Sequence, residues 1–486
     1  MKLNLDDTIA AISTPAGEGG IGIVRISGKE ARQIADRIFF AKDQRSPLHY
    51  KTYTTHYGWI VNSSKDSGQK TENRKQKTEF RVQKNNRPAD FVDEVILTVM
   101  RAPKSYTKED VVEINCHGGI VALRRVLELV LSYGARIASP GEFTRRAFMN
   151  GRIDLTQAEA VLDVIRARTD KCLNIALHQL KGRVILAINN IRRELLELLA
   201  QLNAAIDFPD EDLTIQNRHM LRKGGGNILK EINQLLKNSE GGQALREGVR
   251  TVICGRPNVG KSSLMNALLK KDRMIVTSLP GTTRDAVEEV VNIRGIPLKI
   301  ADTAGIIETA SWLEKESVAQ AKEYINIAEL AIFVLAGDER LHKDDWEIFN
   351  LLKNKKLIIV INKIDLRQKI DEKRLTAHTN GSSLVRISAK NFTGLEKIEQ
   401  AIEHLIWHGQ IPQNNDELIT NIRQANLLRE AKAALSRALE VIDDNFSEEL
   451  AAVDVKETLD ILGEITGETT SPDMLEIIFS QFCVGK

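Results

Sequence analysis

One glycine-rich segment constrains the fold of this chain more than any other feature. Residues 255–262 read Gly-Arg-Pro-Asn-Val-Gly-Lys-Ser and follow a short apolar run, the pattern of a phosphate-binding loop between a strand and a helix. Backbone N–H groups of such a loop surround phosphate oxygens, Lys261 places a charge on the β- and γ-phosphates, and the Ser262 hydroxyl coordinates Mg²⁺. The segment therefore predicts a binding site for a nucleoside triphosphate.

Three more segments follow in the order that guanine-nucleotide-binding domains use: Asp302-Thr-Ala-Gly305, Asn362-Lys-Ile-Asp365 and Ser388-Ala-Lys390. The Asp365 carboxylate can accept two hydrogen bonds from N1 and the 2-amino group of guanine, a pair that adenine cannot donate. We therefore expect a GTP-binding domain. Its predicted nucleotide-binding residues are Asn258, Val259, Gly260, Lys261, Ser262, Ser263, Thr277, Ser278, Leu279, Pro280, Gly281, Thr282, Thr283, Asp302, Thr303, Ala304, Gly305, Asn362, Lys363, Asp365, Ser388, Ala389 and Lys390.

Length and composition limit what else the chain can be. A chain of 486 residues exceeds one ordinary domain, and the GTPase needs only roughly 160–180 residues. The chain has 68 Lys and Arg and 66 Asp and Glu, and its net charge of +2 does not by itself indicate nucleic-acid binding. Any contact with RNA must therefore be made by a local surface, and DNA binding is not expected. The four cysteines form no Cys-x-x-Cys pair, which argues against a disulfide framework and a zinc site. No apolar run is long enough for a membrane span. We expect a cytoplasmic protein.

Local patterns divide the chain into four segments: an α+β domain at 1–150, helical segments at 151–247 and 412–486, and a doubly wound α/β GTPase domain at 248–411. The two helical segments are expected to pack together, with the GTPase inserted between them.

Two kinds of segment are expected to be irregular. The polar stretch 62–88 is predicted to be a solvated surface insertion because it has too little apolar surface to fold. The glycine clusters at 224–226 and 241–242 are predicted to be loops.

The residue that orients the attacking water in Ras-like GTPases is replaced here. That position follows Asp-x-x-Gly and holds Ile306 instead of glutamine. Thr283 is the expected second Mg²⁺ ligand, and Asn258 with backbone carbonyls of the switch loop could bind a monovalent cation against the phosphates. A bound K⁺ would then stand in for an arginine finger. Two alternatives are open: Asn258 only shapes the phosphate loop, or Arg284 acts as a finger in cis.

Longer motifs carry a resemblance to one family. They are Thr14-Pro-Ala-Gly-Glu-Gly-Gly-Ile-Gly-Ile-Val-Arg-Ile-Ser-Gly28, Pro140-Gly-Glu-Phe-Thr-Arg-Arg-Ala-Phe148, Asp154-Leu-Thr-Gln-Ala-Glu-Ala160, the phosphate loop extended to Asn266, Pro280-Gly-Thr-Thr-Arg-Asp285 and Phe482-Cys-Val-Gly-Lys486. With these motifs the chain resembles the MnmE (TrmE) family of tRNA uridine-modifying GTPases from its first strand to its last residue; only the polar 62–88 segment falls outside the match.

The resemblance implies a folate-binding N-terminal domain that forms a homodimer, a helical domain and an inserted GTPase domain. It also implies work with the flavoprotein MnmG, in a heterotetramer, on the wobble uridine of tRNA. The product carries a carboxymethylaminomethyl or aminomethyl group on carbon 5. A reduced folate, 5,10-methylene- or 5-formyl-tetrahydrofolate, is the implied one-carbon donor.

The same resemblance assigns individual residues. Folate contacts fall on Arg25, Glu113, Arg152 and Lys486, where a carboxylate suits the amino-pyrimidine edge of a pterin and cations suit the carboxylates of the folate tail. The implied K⁺ ligands are Asn258, Thr277, Leu279 and Thr282, the implied Mg²⁺ ligands are Ser262 and Thr283, and the implied catalytic acid is Glu314, with Glu316 close by.

Cys483 is a candidate catalytic residue. We expect a loosely packed terminus there, where a structural thiol is unusual, and thiolate addition to a pyrimidine ring is established chemistry in uridine modification. The alternative is that the terminus only closes over the folate. Cys254 is expected in a strand core, and Cys116 and Cys172 are expected to be packing residues.

Two other functions share the nucleotide segments. A ribosome-assembly or RNA-binding switch GTPase should carry a basic domain after the GTPase, whereas residues 412–486 are neutral to acidic. A folate sensor or scaffold that uses GTP as a switch is the other alternative.

Overall fold

A computed structural model describes residues 6–15, 17–62, 91–207, 215–237, 239–272, 288–301, 324–379, 382–407, 418–444 and 448–486. The chain divides into two compact units, residues 1–159 with 469–486 and residues 160–468. The predicted insertion at 62–88 lies outside the described residues except for its first residue.

The first unit is built on a mixed sheet of seven described strands: β1 Ile9–Ile12, β2 Gly22–Ser27, β3 Phe39–Ala41, β4 Thr54–Val61, β5 Phe91–Met100, β6 Val111–Cys116 and β7 Arg136–Ile137. Their order is β3-β4-β5-β6-β2-β1-β7, and neighbours run antiparallel except for the parallel pair β1–β7. The helices are α1 Ala31–Ile38, α2 Ile120–Ser132, α3 Glu142–Met149 and α4 Leu155–Arg166, which extends into the second unit. In α1 every third or fourth residue (Ala31, Ile34, Ala35, Ile38) is buried against the sheet, as the amphipathic pattern predicts.

The C-terminal residues belong to this first unit. Helix α15, Pro472–Ser480, packs against α3, and Phe479 contacts the rings of Phe148 and Phe482 at centroid distances of 6.3 and 5.6 Å. Phe482 is buried, and the backbone N–H of Phe143 donates to the carbonyl of Lys486 at 3.2 Å. The terminus is therefore packed, not loose as expected, and residues 469–486 cluster apart from the helices that precede them.

The second unit contains a six-stranded sheet in its described part: β8 Val249–Cys254, β9 Glu288–Ile293, β10 Ile296–Ala301, β11 Leu330–Ala336, β12 Lys356–Asn362 and β13 Ser383–Arg386. The order is β13-β12-β11-β8-β10-β9, and only β9–β10 is antiparallel. Among the described residues, the helices that accompany the sheet are α9 Lys261–Asp272, α10 Lys343–Leu352, α11 Glu372–His378 and α12 Leu395–Ile406. Strands β11 and β12 are almost entirely apolar and buried, as strands of a sheet that is covered on both faces are. The carboxyl ends of the parallel strands meet at one edge, where ligands bind in folds of this type.

The remaining described helices of this unit are α5 Asp170–Leu180, α6 Arg183–Asp207, α7 Ile215–Lys237, α8 Ser239–Glu247, α13 Ile422–Asp443 and α14 Glu448–Thr466. One apolar core joins α6 and α7 to α13 and α14, with Leu195, Ile232, Leu428 and Leu462 all fully buried. The expectation that the later helices pack on the earlier ones is therefore confirmed for residues up to 468.

The glycine clusters are helical, so the prediction of loops was wrong. Residues 224–226 lie inside α7 and residues 241–242 inside α8. A Cβ on Gly225 would lie 2.6 Å from the Leu439 side chain, and one on Gly241 would lie 2.4 Å from the Trp407 ring. At Gly225 and Gly241 the missing side chain permits close packing of neighbouring elements against the helix.

Candidate functional sites

The phosphate loop connects β8 to α9, as predicted. Gly255 and Gly260 have φ values of 149° and 97°, and Asn258 has a φ of 61°. A Cβ on Gly260 would lie 2.2 Å from the side-chain nitrogen of Asn362, so no larger residue fits. Lys261 is buried at the start of α9, and its Nζ donates to the carbonyl of Arg256 at 2.9 Å.

Two ion pairs hold the phosphate loop against the sheet edge. The Arg256 guanidinium contacts Asp345 at 2.9 Å through Nε and Glu339 at 2.7 Å through Nη2. Burial lowers the pKa of Arg256, but hydrogen bonds to Glu339 and Asp345 raise it further, so the net shift is upward. Sequence reasoning did not select Arg256, although it lies inside the loop motif.

Asn362 joins the phosphate loop to the base-recognition segment. Its Nδ2 donates to the carbonyl of Val259 at 2.9 Å, and its Oδ1 accepts from the backbone N–H of Ala389 at 3.0 Å. The side chain is only 3% exposed. The prediction placed Asn362 among the nucleotide-binding residues, and the structure adds that it ties together two loops from opposite sides of that site.

Asp365 and Ser388 lie together, as the predicted guanine site requires. A hydrogen bond from the Ser388 side chain is the main reason that the pKa of Asp365 is lowered, and the charges of Lys390 and Lys363 add to this effect. The carboxylate is therefore ionised at neutral pH and can accept hydrogen bonds. The backbone of Ser388 exchanges two hydrogen bonds with Thr393, at 3.0 and 3.1 Å, which fixes the loop after β13.

Part of the predicted nucleotide site lies outside the described residues. These positions are Thr277, Ser278, Leu279, Pro280, Gly281, Thr282, Thr283, Asp302, Thr303, Ala304, Gly305 and Glu314. In the sequence, the described strands β9 and β10 separate residues 277–283 from the positions that begin at Asp302.

A second cluster in the first unit begins with Arg25 on β2 and Glu113 on β6. These residues face each other in the strand register; Oε1 of Glu113 accepts from Nε of Arg25 at 2.8 Å and lies 2.7 Å from its Nη2 in an ion pair. Among the described residues no donor bonds to the other carboxylate oxygen, Oε2. The Arg25 Nη1 and the Ser13 hydroxyl both donate to the carbonyl of Gly485 at 3.1 Å. The sheet therefore holds the C-terminal residues beside this ion pair.

Aromatic rings separate the cations of this cluster. The Arg152 guanidinium lies 4.8 Å from the centroid of the Tyr106 ring, and that of Arg25 lies 5.9 Å from it and 5.7 Å from the Phe143 ring. The Tyr106 hydroxyl bonds to Thr144 at 2.9 Å. Burial raises the pKa of Tyr106 although the Thr144 bond and both arginines lower it, so the phenol stays protonated. Sequence reasoning missed Tyr106; its only signal was one aromatic residue in a polar loop.

Lys486 completes the cluster. Burial and the charge of Arg25 lower the pKa of its ammonium group, while Glu113 and Cys483 raise it, and the net shift is downward. Cys483 is exposed, and its carbonyl accepts from the backbone N–H of Gly141 at 3.4 Å. The structure thus brings together all four predicted folate residues and the candidate cysteine. The other three cysteines are buried, as expected, and burial raises the pKa of Cys254 to about 12.

In the part of the chain that the structure describes, no group of three or more His, Cys, Asp or Glu side chains is arranged to hold a metal ion. Within the same described ranges, no helix has the length and apolar character needed to cross a membrane.

Comparison with known proteins adds three findings. The family model for the MnmE helical domain matches residues 155–483, and that for the GTP-binding protein TrmE N-terminus matches residues 8–152. A relative named tRNA modification GTPase MnmE, from Thermoanaerobacter pseudethanolicus, is 45% identical over 480 residues and covers 99% of both chains. The protein of the same name from Bacillus subtilis is 42% identical over 482 residues, covering 99% of this chain and all of the relative. The solved G domain of the T. maritima FeoB iron transporter is 26% identical, covers 32% of this chain and 96% of that one, and gives a TM-score of 0.25.

Proposed function

The chain belongs to the MnmE family of tRNA modification GTPases, and we propose that it hydrolyses GTP to support modification of the wobble uridine of tRNA. With the flavoprotein MnmG it attaches a carboxymethylaminomethyl or aminomethyl group to carbon 5. A reduced folate, 5,10-methylene- or 5-formyl-tetrahydrofolate, is the one-carbon donor. The observation that carries this proposal is the convergence of Arg25, Glu113, Arg152, Lys486 and Cys483 beside Tyr106.

The chemistry of this cluster fits a folate. The unbonded Oε2 of Glu113 can accept from the amino-pyrimidine edge of a pterin, and the Arg25 guanidinium that pairs with Glu113 also lies 5.9 Å from the Tyr106 ring. Arg152 and Lys486 suit the carboxylates of the folate tail. When bound, a reduced folate supplies the one-carbon unit, and the protein residues only bind and orient it.

Cys483 is the proposed nucleophile toward the uracil ring, because its thiol is exposed at the rim of the cluster while the neighbouring backbone is held. Addition of the thiolate to carbon 6 of the ring makes carbon 5 nucleophilic. Carbon 5 would then form the new carbon–carbon bond to the one-carbon unit, with an electron pair passing to the folate nitrogen that held that unit. Loss of the carbon 5 proton and departure of the thiolate from carbon 6 would restore the double bond of the ring. The alternative is that the sulfur only contacts the bound ligand.

Hydrolysis of GTP is proposed to use Mg²⁺ on Ser262 and Thr283, and K⁺ on Asn258, Thr277, Leu279 and Thr282. The turn at Asn258, with its φ of 61°, supports a role for this residue at the phosphates. K⁺ would supply the positive charge that an arginine finger supplies elsewhere, and Glu314 would orient the water in place of the missing glutamine. We further propose that the protein is a cytoplasmic homodimer that forms a heterotetramer with MnmG.

Reconstitution tests the proposal. The protein, MnmG, tRNA, 5,10-methylene-tetrahydrofolate and GTP are combined in K⁺ or Na⁺ buffer, and modified uridine is measured by mass spectrometry together with GTP turnover. We expect modified uridine only when both folate and GTP are present, and much faster hydrolysis in K⁺. Product that forms without folate would remove the donor assignment, and equal rates in both salts would remove the cation assignment.

Two variants separate the roles of the terminus. Cys483→Ser should retain folate binding and GTP hydrolysis and lose most modification, whereas deletion of residues 483–486 should also abolish folate binding. If Cys483→Ser retains most modification activity, the sulfur is a contact and not a nucleophile. Full activity in both variants would contradict any role of the terminus at this site.

A further inference from the structure

A basic groove on the second unit is not used by either site described above. It lies where α7, α8 and α13 meet, has a volume of about 760 Å³, and presents four cationic side chains: Lys230, Lys237, Arg429 and Lys432. All four are exposed. Asn233 lies between the two lysines of α7, and Glu240 is the one carboxylate of the lining.

The groove cations differ from three arginines of the same helices in lacking carboxylate partners. Elsewhere on α7, Arg218 and Arg222 pair with Glu448 and Asp443, at 3.4 and 2.7 Å, and on α13 Arg437 pairs with two carboxylates. Within the described residues no carboxylate pairs with the four groove cations.

Glu240 can offset at most one of the four positive charges of the groove. Its carboxylate lies 3.9 Å from the ammonium group of Lys356, outside the lining. The groove therefore holds an uncompensated positive charge on a chain whose net charge is only +2.

The spacing of the cations suits an extended polyanion. Lys230 and Lys237 are two helical turns apart, about 10 Å along the axis of α7, and Arg429 and Lys432 are one turn apart on α13. A nucleic-acid strand carries one phosphate about every 3.4 Å of duplex axis, so a groove of this length faces several consecutive phosphates. The start of α8, at Ser239, lies in the same lining and adds the positive end of a helix dipole.

We infer that this groove binds the phosphate backbone of RNA, and specifically of tRNA, the macromolecular polyanion that the proposed function requires. The inference rests on that function for the identity of the RNA. It assigns the helical region a task of its own, which is to hold the substrate by its backbone without reading its sequence.

The test is binding of a fluorescein-labelled tRNA transcript to the full-length protein, measured by fluorescence anisotropy over a series of salt concentrations. A variant with all four groove cations changed to Gln is compared with a control in which four exposed cations of the GTPase region are changed to Gln. The control cations pair with no carboxylate of the described residues: Arg340, Lys353, Lys369 and Lys373. Each phosphate contact contributes roughly 0.7–0.9 to the slope of log K against log salt. We expect the groove variant to bind at least tenfold more weakly with a slope shallower by about 3, and the control to bind like the parent. GTP turnover without tRNA should be the same in all three proteins.

Equal losses in the groove variant and the control would overturn the inference, because the attraction would then be diffuse. Unchanged binding in the groove variant would overturn it as well. Competition with poly-glutamate or inorganic phosphate distinguishes other anions: displacement of tRNA by poly-glutamate at equal charge concentration would indicate an acidic protein partner instead. This assay needs neither MnmG nor folate, so failure of the modification reaction with intact groove-dependent binding would contradict the proposed reaction alone.

Discussion

Replacement of Asn362 should disorganise two loops at once. In Asn362→Ala the backbone N–H of Ala389 and the carbonyl of Val259 both lose a buried partner. An unsatisfied buried group costs about 1–3 kcal/mol, and at about 1–2 kcal/mol for each of these two backbone groups the arrangement of the two loops loses about 2–4 kcal/mol. If nucleotide binds only that arrangement, the affinity falls roughly thirty- to several-hundred-fold as an upper bound.

Asn362→Asp separates the two hydrogen bonds without a change of size. The carboxylate can still accept from Ala389, but it cannot donate to the Val259 carbonyl and instead repels it. We expect this variant also to bind weakly. Asn391→Ala is the control, because that residue is exposed and its side chain forms no hydrogen bond to any described group.

The measurements are the dissociation constant of a fluorescent GDP analogue and amide hydrogen exchange of residues 255–260 and 388–390 in nucleotide-free protein. Both loops should exchange faster in Asn362→Ala and keep their parental rates in Asn391→Ala. Weak binding with unchanged exchange would refute the reasoning, because it would mean that Asn362 acts through direct contact with the nucleotide and not by tying the loops together.

Two further predictions concern stability. Gly241→Ala places a methyl group against the Trp407 ring and should cost about 1–3 kcal/mol, whereas Gly226→Ala, in the same helical region with open space around it, should stabilise by about 0.5–1 kcal/mol; thermal unfolding that moves in one direction for both would contradict the packing argument. Arg146→Met removes a fully buried cation from Glu142, which is itself 1% exposed, and should cost about 3–5 kcal/mol. Burial raises the pKa of Glu142, but its arginine partners and a backbone N–H lower it more, so the folded value lies below the ordinary 4.5. The stabilisation is therefore complete above about pH 4.5 and is lost as the pH falls below it, and pH-dependent unfolding should show a smaller acid-induced loss in Arg146→Met.

The sequence alone determined the parts of this protein whose chemistry is local. The phosphate loop must have glycine where backbone meets phosphate, and Asp365 must follow Asn362 at a fixed spacing, so a short segment reveals each. The apolar runs that form β11 and β12 are visible in the sequence for a similar reason, since a strand covered on both faces is apolar almost throughout. The family motifs, longer than any of these, indicated Arg25, Glu113, Arg152 and Lys486 as a set.

Features that depend on contacts between residues far apart in the sequence were decided only by the tertiary structure. Glycines 224–226 and 241–242 signal loops locally, yet they lie inside helices, and at Gly225 and Gly241 the Leu439 and Trp407 side chains occupy the space that a Cβ would need. Helical periodicity could not show that α15 joins the first unit, because an apolar face does not specify which core will cover it. Tyr106 becomes part of a site only when the fold brings Arg25 and Arg152, 127 positions apart in the sequence, to its ring. The groove cations lie on α7 and α13, which are separated in the sequence by the GTPase domain. Their charges form one positive groove only because these two helices pack side by side.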